Sequence, residues 1–272
     1  MAVLSLRGEL LMSAGRPADI RAILFDKDGT MSRSEPQLLV LAKKRIRHCL
    51  SLAGDAVSEQ LEILLEKAYG LHPSGLSLDP AGITAVAARD HNLLSTAAAL
   101  TMVGHGWPES LMLAHETFRL ADLDIPPGNQ EPDTTDGLLD LLDVLHSNAV
   151  HCAVISNDEP LGIQKFLARH SLSHQIGVIW SAQHEPRKPD PQAIHQLCKL
   201  LGVPPFKCAL IGDANTDLRM ARDAGVGVVL GYRGGWSQRV QLEEGYPLLD
   251  HWGELTVGAG HSKPDGGVSM AT

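Results

Sequence analysis

Short apolar runs that end abruptly in polar residues recur along the chain. The first covers residues 22–25 and stops at Asp26. Runs of this length and composition are typical of strands that are buried on both faces of a parallel sheet. Further runs of the same kind, which we also interpret as strands, occupy residues 151–155, 176–180, 208–211 and 226–230.

Amphipathic helical patterns separate these later runs. Apolar residues recur at helical spacing between residues 161 and 170, between 194 and 201, and between 218 and 224. An alternation of strand and helix requires crossover connections, which cover both faces of a parallel sheet. We therefore predict an α/β fold built on a doubly wound parallel sheet.

A long segment between the first two predicted strands shows helical periodicity and no strand pattern. Two helical faces are marked by Leu38, Ala42, Ile46, Cys49 and Ala53, and by Val57, Leu61, Leu64 and Ala68. Two more helices are predicted over residues 84–103 and 108–121, because the apolar spacing continues there. We call residues 35–125 the helical insert.

The helical insert divides the predicted core into two pieces. Outside it we predict an N-terminal extension at residues 1–18 and a flexible tail at residues 259–272. The two pieces of the α/β core are residues 19–34 and 126–258. Pro126, Pro127 and Gly128 mark the return of the chain to the core, because such residues interrupt helices.

Composition and charge limit the classes of partner. With 44% hydrophobic and 20% charged residues, the chain has the composition of an ordinary globular protein. Its 23 basic and 32 acidic residues give a formal net charge of −9, which disfavours nucleic acid and anionic membranes as partners. We interpret the basic cluster Lys43, Lys44, Arg45 and Arg47 as the solvated face of a helix.

The sequence also carries signals about location. No stretch approaches the roughly 18 apolar residues of a transmembrane helix. Arg7 and Glu9 interrupt the apolar start of the chain before a signal-peptide core could form. The four cysteines include no C-x-x-C pair, which suits a reducing compartment. We therefore expect a cytoplasmic protein.

Polar residues follow the predicted strands. Asp26 and Asp28 follow the first strand within D-K-D-G-T, and Ser156 and Asn157 follow the second within I-S-N-D. In doubly wound sheets, ligands bind at the carboxyl ends of the strands. Taken alone, either segment could be ordinary turn chemistry.

The third and fourth strands are followed by further charged residues. Lys188 lies two residues before Asp190. We interpret Asp190 as a helix N-cap and Pro191 as the first residue of that helix. Asp213 and Asp217 surround the turn after the fourth strand, within G-D-A-N-T-D. Helix capping could explain one of these two carboxylates, but it explains both less well.

Taken together, these residues carry a family resemblance. The sequence resembles the haloacid dehalogenase-like hydrolase superfamily, whose four motifs match D-K-D-G-T, I-S-N-D, the lysine of R-K-P-D-P and G-D-A-N-T-D. The match covers about residues 21–230. It points to the phosphatase branch that has a helical cap between its first two motifs, as in phosphoglycolate phosphatase-like members. The helical insert resembles this cap.

The resemblance implies a Mg²⁺-dependent phosphohydrolase that acts on a small phosphorylated metabolite. Asp26 would be the nucleophile that forms an aspartyl-phosphate. Asp28 would protonate the leaving alcohol and then deprotonate the hydrolytic water. Ser156, the N–H of Asn157, and Lys188 would bind the phosphate oxygens, and Lys188 would also offset the charge of the transition state.

The resemblance also implies a set of metal ligands. Asp26, the backbone carbonyl of Asp28, and Asp213 would hold Mg²⁺ through hard oxygen atoms. Asp217 would act indirectly, through a water molecule or a neighbouring ligand.

Alternative functions stay open at this point. A dehalogenase is disfavoured because those members lack the second aspartate of the first motif, which is Asp28 here. A phosphosugar mutase of the same superfamily would keep all of the core residues. A non-catalytic protein that binds a phosphometabolite is the third possibility. The polar cluster of Arg89, Asp90, His91 and Asn92 could face the cleft or the solvent.

Overall fold

Six parallel strands form the central sheet of the described chain. The computed structural model describes residues 2–124 and 131–259. The strands are β1 (Ala22–Phe25), β2 (His151–Ile155), β3 (Ile176–Trp180), β4 (Cys208–Gly212), β5 (Val228–Tyr232) and β6 (Leu248–Leu249). They lie in the order β6-β5-β4-β1-β2-β3, so β1 is central and is flanked by β2 and β4.

Helices occupy the chain between β1 and β2. Those in the helical insert are α1 (Glu35–Ala53), α2 (Ser58–Tyr69), α3 (Ile83–Val86), α4 (Arg89–Met102) and α5 (Trp107–Leu123). The helix predicted over residues 84–103 is interrupted, because Ala87 and Ala88 adopt extended torsion angles between α3 and α4. Apolar side chains of these helices, including Ile46, Leu61 and Phe118, share one hydrophobic cluster. The segment therefore has a hydrophobic interior of its own.

Four further helices cover the sheet; the first precedes β2, and the other three connect the later strands. They are α6 (Leu138–Ser147), α7 (Pro160–Arg169), α8 (Pro191–Leu201) and α9 (Asn215–Asp223). Ile23 and Phe25 of β1 share a cluster with α6 and α7, whereas Ala22 and Leu24 share another with α8 and α9. Because successive strand residues point to opposite faces, both faces of the sheet are covered. The predicted doubly wound α/β fold is confirmed.

The predicted strand positions agree closely with the structure. Strands β2 and β3 have the predicted bounds, and β4 ends one residue later. Strand β5 begins at Val228, two residues later than predicted, because the backbone N–H of Val226 bonds to the carbonyl of Ala221 in the turn after α9. Strand β6 was not predicted, since two residues are too short to show a periodic pattern.

A smaller antiparallel sheet joins the two ends of the described chain. The strand Ala2–Leu6 pairs with the strand Leu255–Ala259 along its full length. The predicted N-terminal extension is therefore part of the folded structure. The remaining short elements are the strands Glu9–Leu10, Met12–Ser13, Arg16–Pro17 and Asp19–Ile20, and the 3-10 helices Asp55–Val57, Pro205–Lys207 and Trp252–Glu254.

Some predictions concern residues outside those described. The predicted return of the chain at Pro126, Pro127 and Gly128 lies there, as does the predicted tail beyond Ala259. The division of the chain into a core and a helical insert stays a prediction. None of the described helices combines the length and the hydrophobicity that a bilayer span requires.

Candidate active site

Side chains that follow different strands meet at one edge of the sheet. Asp26 follows β1, and its Oδ1 accepts a 2.6 Å hydrogen bond from Nζ of Lys188, which lies after β3. The same ammonium group lies 2.8 Å from Oδ1 of Asp217 in α9 and donates to the carbonyl oxygen of Ile155 at 3.3 Å. The predicted nucleophile and the predicted cation are thus in direct contact, and both are buried.

Three carboxylates form an acidic cluster beside this contact. One oxygen from each of Asp26, Asp213 and Asp217 lies within 4.8 Å of the others. Burial raises the pKa of Asp213 to about 6, and the neighbouring Asp217 carboxylate also raises it. Burial likewise raises the pKa of Asp26 well above its ordinary value, although Lys188 opposes the shift. A cation bound between these oxygens would offset their mutual repulsion.

The carboxylate of Asp28 is not part of this cluster and accepts hydrogen bonds from other side chains. Its Oδ1 accepts a 2.6 Å hydrogen bond from Nζ of Lys27, and Lys27 also lies 2.9 Å from Oδ2 of Asp158. Ser34 Oγ donates to the same Asp28 oxygen. Burial raises the pKa of Asp28, but Lys27 and Ser34 together lower it by more, so the net pKa is below its ordinary value. Asp28 is therefore ionised at neutral pH in this arrangement.

The segment after β2 lines the same edge. Ser156 is buried, and its Oγ accepts a 3.1 Å hydrogen bond from the backbone N–H of Asp158. Nδ2 of Asn157 donates to the carbonyl oxygen of Val86, the last residue of α3, at 2.9 Å. The side chain of Asn157 therefore links the sheet edge to the helical insert. The phosphate contacts predicted for Ser156 and Asn157 stay predictions.

The charges around the site leave negative charge in excess. Two ammonium groups, of Lys27 and Lys188, lie among five carboxylates. The carboxylates are those of Asp26, Asp28, Asp158, Asp213 and Asp217. This set alone would repel a phosphate dianion, because repulsion between like charges is strong in a buried site. The residues fit a divalent cation, which prefers carboxylate oxygens and would correct the imbalance.

The residues that hold Asp213 were not singled out from the sequence. Nε1 of Trp236 donates to Oδ2 of Asp213 at 2.6 Å, and Oγ1 of Thr30 donates to Oδ1 at 2.8 Å. Thr30 belongs to the D-K-D-G-T motif, so its position in the motif could have indicated a role. Trp236 lies in the loop after β5, where no sequence pattern marks it. Lys27, inside the same motif as Thr30, was also overlooked.

A cavity of about 420 Å³ lies between the sheet edge and the helical insert. Asp26, Ser156, Asn157, Lys188, Asp213 and Asp217 line it from the core, and Arg45, Thr84, Arg89 and Asn92 line it from the insert. The interpretation of Arg45 as part of a solvated face is wrong, because this residue is only 5% exposed. It lies three residues after Ala42 and four before Cys49, on the buried face of α1.

The polar cluster at the start of α4 is divided between different environments. Arg89 and Asn92 line the cavity. Asp90 forms an ion pair of 2.7 Å with Arg187, which precedes Lys188 in the chain. His91 is exposed. Of the four residues that could face either the cleft or the solvent, Arg89 and Asn92 line the cavity, whereas Asp90 and His91 are exposed.

Comparisons with known proteins extend these observations. The family model described as haloacid dehalogenase-like hydrolase matches residues 20–225. A phosphoglycolate phosphatase of Rhodospirillum rubrum is 27% identical over 259 residues, which are 93% of this chain and 96% of the relative. A phosphoglycolate phosphatase of Thiobacillus denitrificans is 27% identical over 220 residues, covering 77% of this chain and 82% of the relative.

Solved structures agree with this assignment at the level of the fold. A Haemophilus somnus protein described as a predicted phosphoglycolate phosphatase superposes with a TM-score of 0.58 at 18% sequence identity. The superposition covers 82% of this chain and 90% of that protein. The family model spans most of the sequence, including every strand-end residue discussed above. The chain therefore belongs to the haloacid dehalogenase-like hydrolase family.

Proposed function

We propose that this protein is a Mg²⁺-dependent phosphatase that cleaves a small phosphomonoester through an aspartyl-phosphate on Asp26. The observation that carries the proposal is the position of Asp26. Its carboxylate contacts Lys188 at 2.6 Å and belongs to the acidic cluster with Asp213 and Asp217. A nucleophile between a cation and a metal-binding cluster suits attack on phosphorus.

The acidic cluster supports the choice of cation. Asp26 and Asp213 would hold Mg²⁺ with the backbone carbonyl of Asp28, and Asp217 lies close enough to hold it directly or through water. Mg²⁺, when bound, would neutralise charge on the phosphoryl oxygens and so favour their approach to a carboxylate. Trp236 and Thr30 would keep the Asp213 oxygens oriented for this purpose.

The residues of the chain account for both chemical steps. In the first step a carboxylate oxygen of Asp26 bonds to phosphorus while the bond to the leaving oxygen breaks, and that oxygen takes the proton of Asp28. In the second step water attacks phosphorus, loses a proton to Asp28, and releases inorganic phosphate with Asp26 regenerated. Lys188 would stabilise negative charge in both steps.

The surroundings of Asp28 bear on its two proposed roles. An ionised carboxylate is ready to accept a proton from water, which suits the second step. For the first step Asp28 must carry a proton, and its contact with the ammonium group of Lys27 disfavours that form. We propose that substrate binding rearranges this contact.

The named relatives support the coarser statement, a phosphatase, and suggest a first substrate. Both sequence relatives reported above are phosphoglycolate phosphatases, so phosphoglycolate is the first compound to test. We further propose that the helical insert serves as a cap, because it forms one wall of the cavity above Asp26. The contacts Asn157 to Val86 and Arg187 to Asp90 would hold it against the core.

The test is a chemical trap of the covalent intermediate. Protein incubated with Mg²⁺ and a substrate labelled on phosphorus should retain label after acid quenching, and Asp26→Asn should retain none. Release of phosphate into water, without its transfer to a second sugar phosphate, would distinguish a phosphatase from a phosphosugar mutase. A protein that binds phosphoglycolate but releases no phosphate would instead be the non-catalytic alternative and would overturn the proposal.

A further inference from the structure

Arg45 is a buried cation in the wall of the proposed catalytic cavity. It belongs to the third turn of α1 and is 5% exposed. Its guanidinium group lies over the ring of Phe118, with 4.0 Å between the guanidinium carbon and the ring centroid. The neighbouring Arg47 of the same helix is exposed and is paired with Asp124. The two arginines are therefore two residues apart but have different surroundings.

Within residues 2–124 and 131–259, no carboxylate pairs with Arg45. Its Nε is buried without a hydrogen-bond partner. The carboxylate of Asp122 also lines the cavity, but it forms an ion pair of 2.5 Å with Arg89. The insert's side of the cavity therefore holds two guanidinium groups and one carboxylate, so Asp122 cannot neutralise both positive charges.

Such an arrangement is unfavourable unless an anion completes it. A buried charge without a partner costs several kcal/mol in general. Burial lowers the pKa of Arg45 to about 10, so the guanidinium group stays protonated at neutral pH. The aromatic ring of Phe118 offsets only part of this cost, since a cation above a ring gains about 1 to 2 kcal/mol.

Other atoms of the same wall also lack partners. Oγ1 of Thr84 and Oδ1 of Asn92 are buried without hydrogen-bond partners in the described chain, and both residues line the cavity with Arg45. Six buried side-chain polar atoms without partners are found among the described residues, and three of them belong to this wall. A polar ligand or an ordered water molecule bound against this wall would supply the missing contacts.

We propose that Arg45 binds a carboxylate carried by the phosphomonoester, in the wall of the cavity that the helical insert forms. The inference rests on the proposed phosphatase function and adds a substrate class to it. A planar guanidinium group matches the two oxygens of a carboxylate. A single unpaired positive charge matches a monoanion better than it matches a second phosphate dianion. Thr84 and Asn92 would bind polar atoms between the two anionic groups.

The experiment compares two substrates of similar length that differ in charge. Phosphoglycolate carries a carboxylate, and 2-hydroxyethyl phosphate carries a neutral hydroxyl at the corresponding end. The quantity of interest is the ratio of kcat/KM for the acid to kcat/KM for the alcohol. We expect Arg45→Met to lower this ratio roughly tenfold to a hundredfold, because a charge-assisted hydrogen bond is lost. Arg45→Lys should lower it less.

The matched control is Arg47→Met, which removes the same charge from the same helix. It should leave the ratio unchanged, because Arg47 is exposed and does not line the cavity. If the ratio fell equally in the two variants, the cause would be a long-range electrostatic effect, and the proposal would be overturned. A ratio that stays the same in Arg45→Met, or a stronger dependence on Arg45 for a bisphosphate than for phosphoglycolate, would also overturn it.

Melting temperature separates a binding role from a structural one. Arg45→Met removes an unpaired buried charge and keeps an apolar side chain, so the variant should melt at the wild-type temperature or above. A lower melting temperature together with an unchanged ratio would assign Arg45 to structure alone. If wild-type protein hydrolyses both substrates equally well, this inference fails and the phosphatase proposal stands. If it hydrolyses neither these nor an aryl phosphate, the phosphatase proposal itself fails.

Discussion

Nε1 of Trp236 donates a 2.6 Å hydrogen bond to Oδ2 of Asp213. Oγ1 of Thr30 donates a hydrogen bond to the other oxygen of the same carboxylate. The indole ring also lies so close to Gly29 that a Cβ atom at position 29 would lie 1.9 Å from Nε1. The first motif, the proposed metal ligand Asp213 and the loop after β5 are therefore packed as one unit.

This contact predicts that Trp236 reports metal binding. Mg²⁺ bound at Asp213 would change the electrostatic field at the indole ring, so titration with Mg²⁺ should change the intrinsic fluorescence. In Trp236→Phe the change should be lost, and calorimetry should give Mg²⁺ binding weakened by roughly tenfold to a hundredfold. Trp107→Phe is the control, because Trp107 is exposed at the start of α5. A full fluorescence response and normal affinity in Trp236→Phe would contradict the assignment.

Removal of metal should stop phosphate release. We expect a chelator to abolish hydrolysis of an aryl phosphate and added Mg²⁺ to restore it, because the acidic cluster would otherwise repel the phosphate. Asp213→Asn should need a higher Mg²⁺ concentration for half-maximal rate. Measurable turnover in metal-free buffer, with contaminating metal excluded by elemental analysis, would disprove the metal-dependent mechanism.

Asp26 and Asp28 should differ in the step that they support. Asp26→Asn should lower kcat on the order of 10⁴-fold or more, because the amide is a poor nucleophile. In Asp28→Asn an aryl phosphate should still phosphorylate Asp26, because the phenolate of an acidic phenol is a good leaving group without protonation. Water attack would then be slow, so stopped-flow absorbance should show a burst of about one phenol per enzyme. A slow first turnover without a burst would argue against Asp28 as the base.

Lys188 should affect every substrate alike. Lys188→Met removes the partner of Asp26 and Asp217, so kcat/KM should fall by a similar factor for phosphoglycolate, 2-hydroxyethyl phosphate and an aryl phosphate. Without Mg²⁺, the free energy of unfolding should fall by about 3 to 5 kcal/mol, because buried carboxylates lose their cation. Added Mg²⁺ should recover part of this loss. Lys199→Met, on the exposed side of α8, is the control.

Glu35 should stabilise the contact between the helical insert and the core. Its Oε1 accepts hydrogen bonds of 2.9 Å from the backbone N–H of Leu78 and from Oγ of Ser237, and its Oε2 accepts one of 2.7 Å from the backbone N–H of Ser237. Glu35→Ala leaves the buried backbone N–H of Leu78 without a partner and removes two hydrogen bonds to the exposed Ser237, so the free energy of unfolding should fall by about 2 kcal/mol. Urea denaturation of this variant and of Glu62→Ala, an exposed position on α2, provides the measurement.

Local pattern was sufficient to predict five of the six strands of the sheet and several residues at its edge. The strands at residues 151–155 and 176–180 have the bounds that their apolar runs predicted. Parallel strands end at a common edge, so the order of the motifs along the chain was enough to place Asp26, Lys188 and Asp217 near each other. The α/β fold and the family are confirmed. The chemical roles of the individual side chains remain predictions.

Arg45 was misinterpreted although the sequence contained the relevant pattern. Residues at i, i+3, i+4 and i+7 share one face of a helix, and Ala42, Arg45, Ile46 and Cys49 have this spacing. Arg45 was grouped with its charged neighbours because charge was given more weight than position. A charged residue on an otherwise apolar helical face indicates either a buried pair or a binding site.

Other contacts could not be predicted from local pattern. Trp236 reaches Asp213 through the conformation of the loop after β5, and no periodic pattern specifies a loop conformation. The pairing of Lys27 with Asp28 and Asp158 depends on which way each side chain turns at the end of its strand. Such contacts depend on the packing of residues that are distant in the sequence, so a short sequence pattern does not specify them.

The sheet that joins Ala2–Leu6 to Leu255–Ala259 has a consequence for biosynthesis. A ribosome makes the first of these strands long before the last, so during translation the edge that receives residues 255–259 has no partner. Ala2 and Leu4 are buried in the folded protein, and their pairing partners lie more than two hundred positions later in the sequence. Pairings of such long sequence separation form late. The nascent chain therefore cannot close its fold until residue 259 has left the ribosomal tunnel.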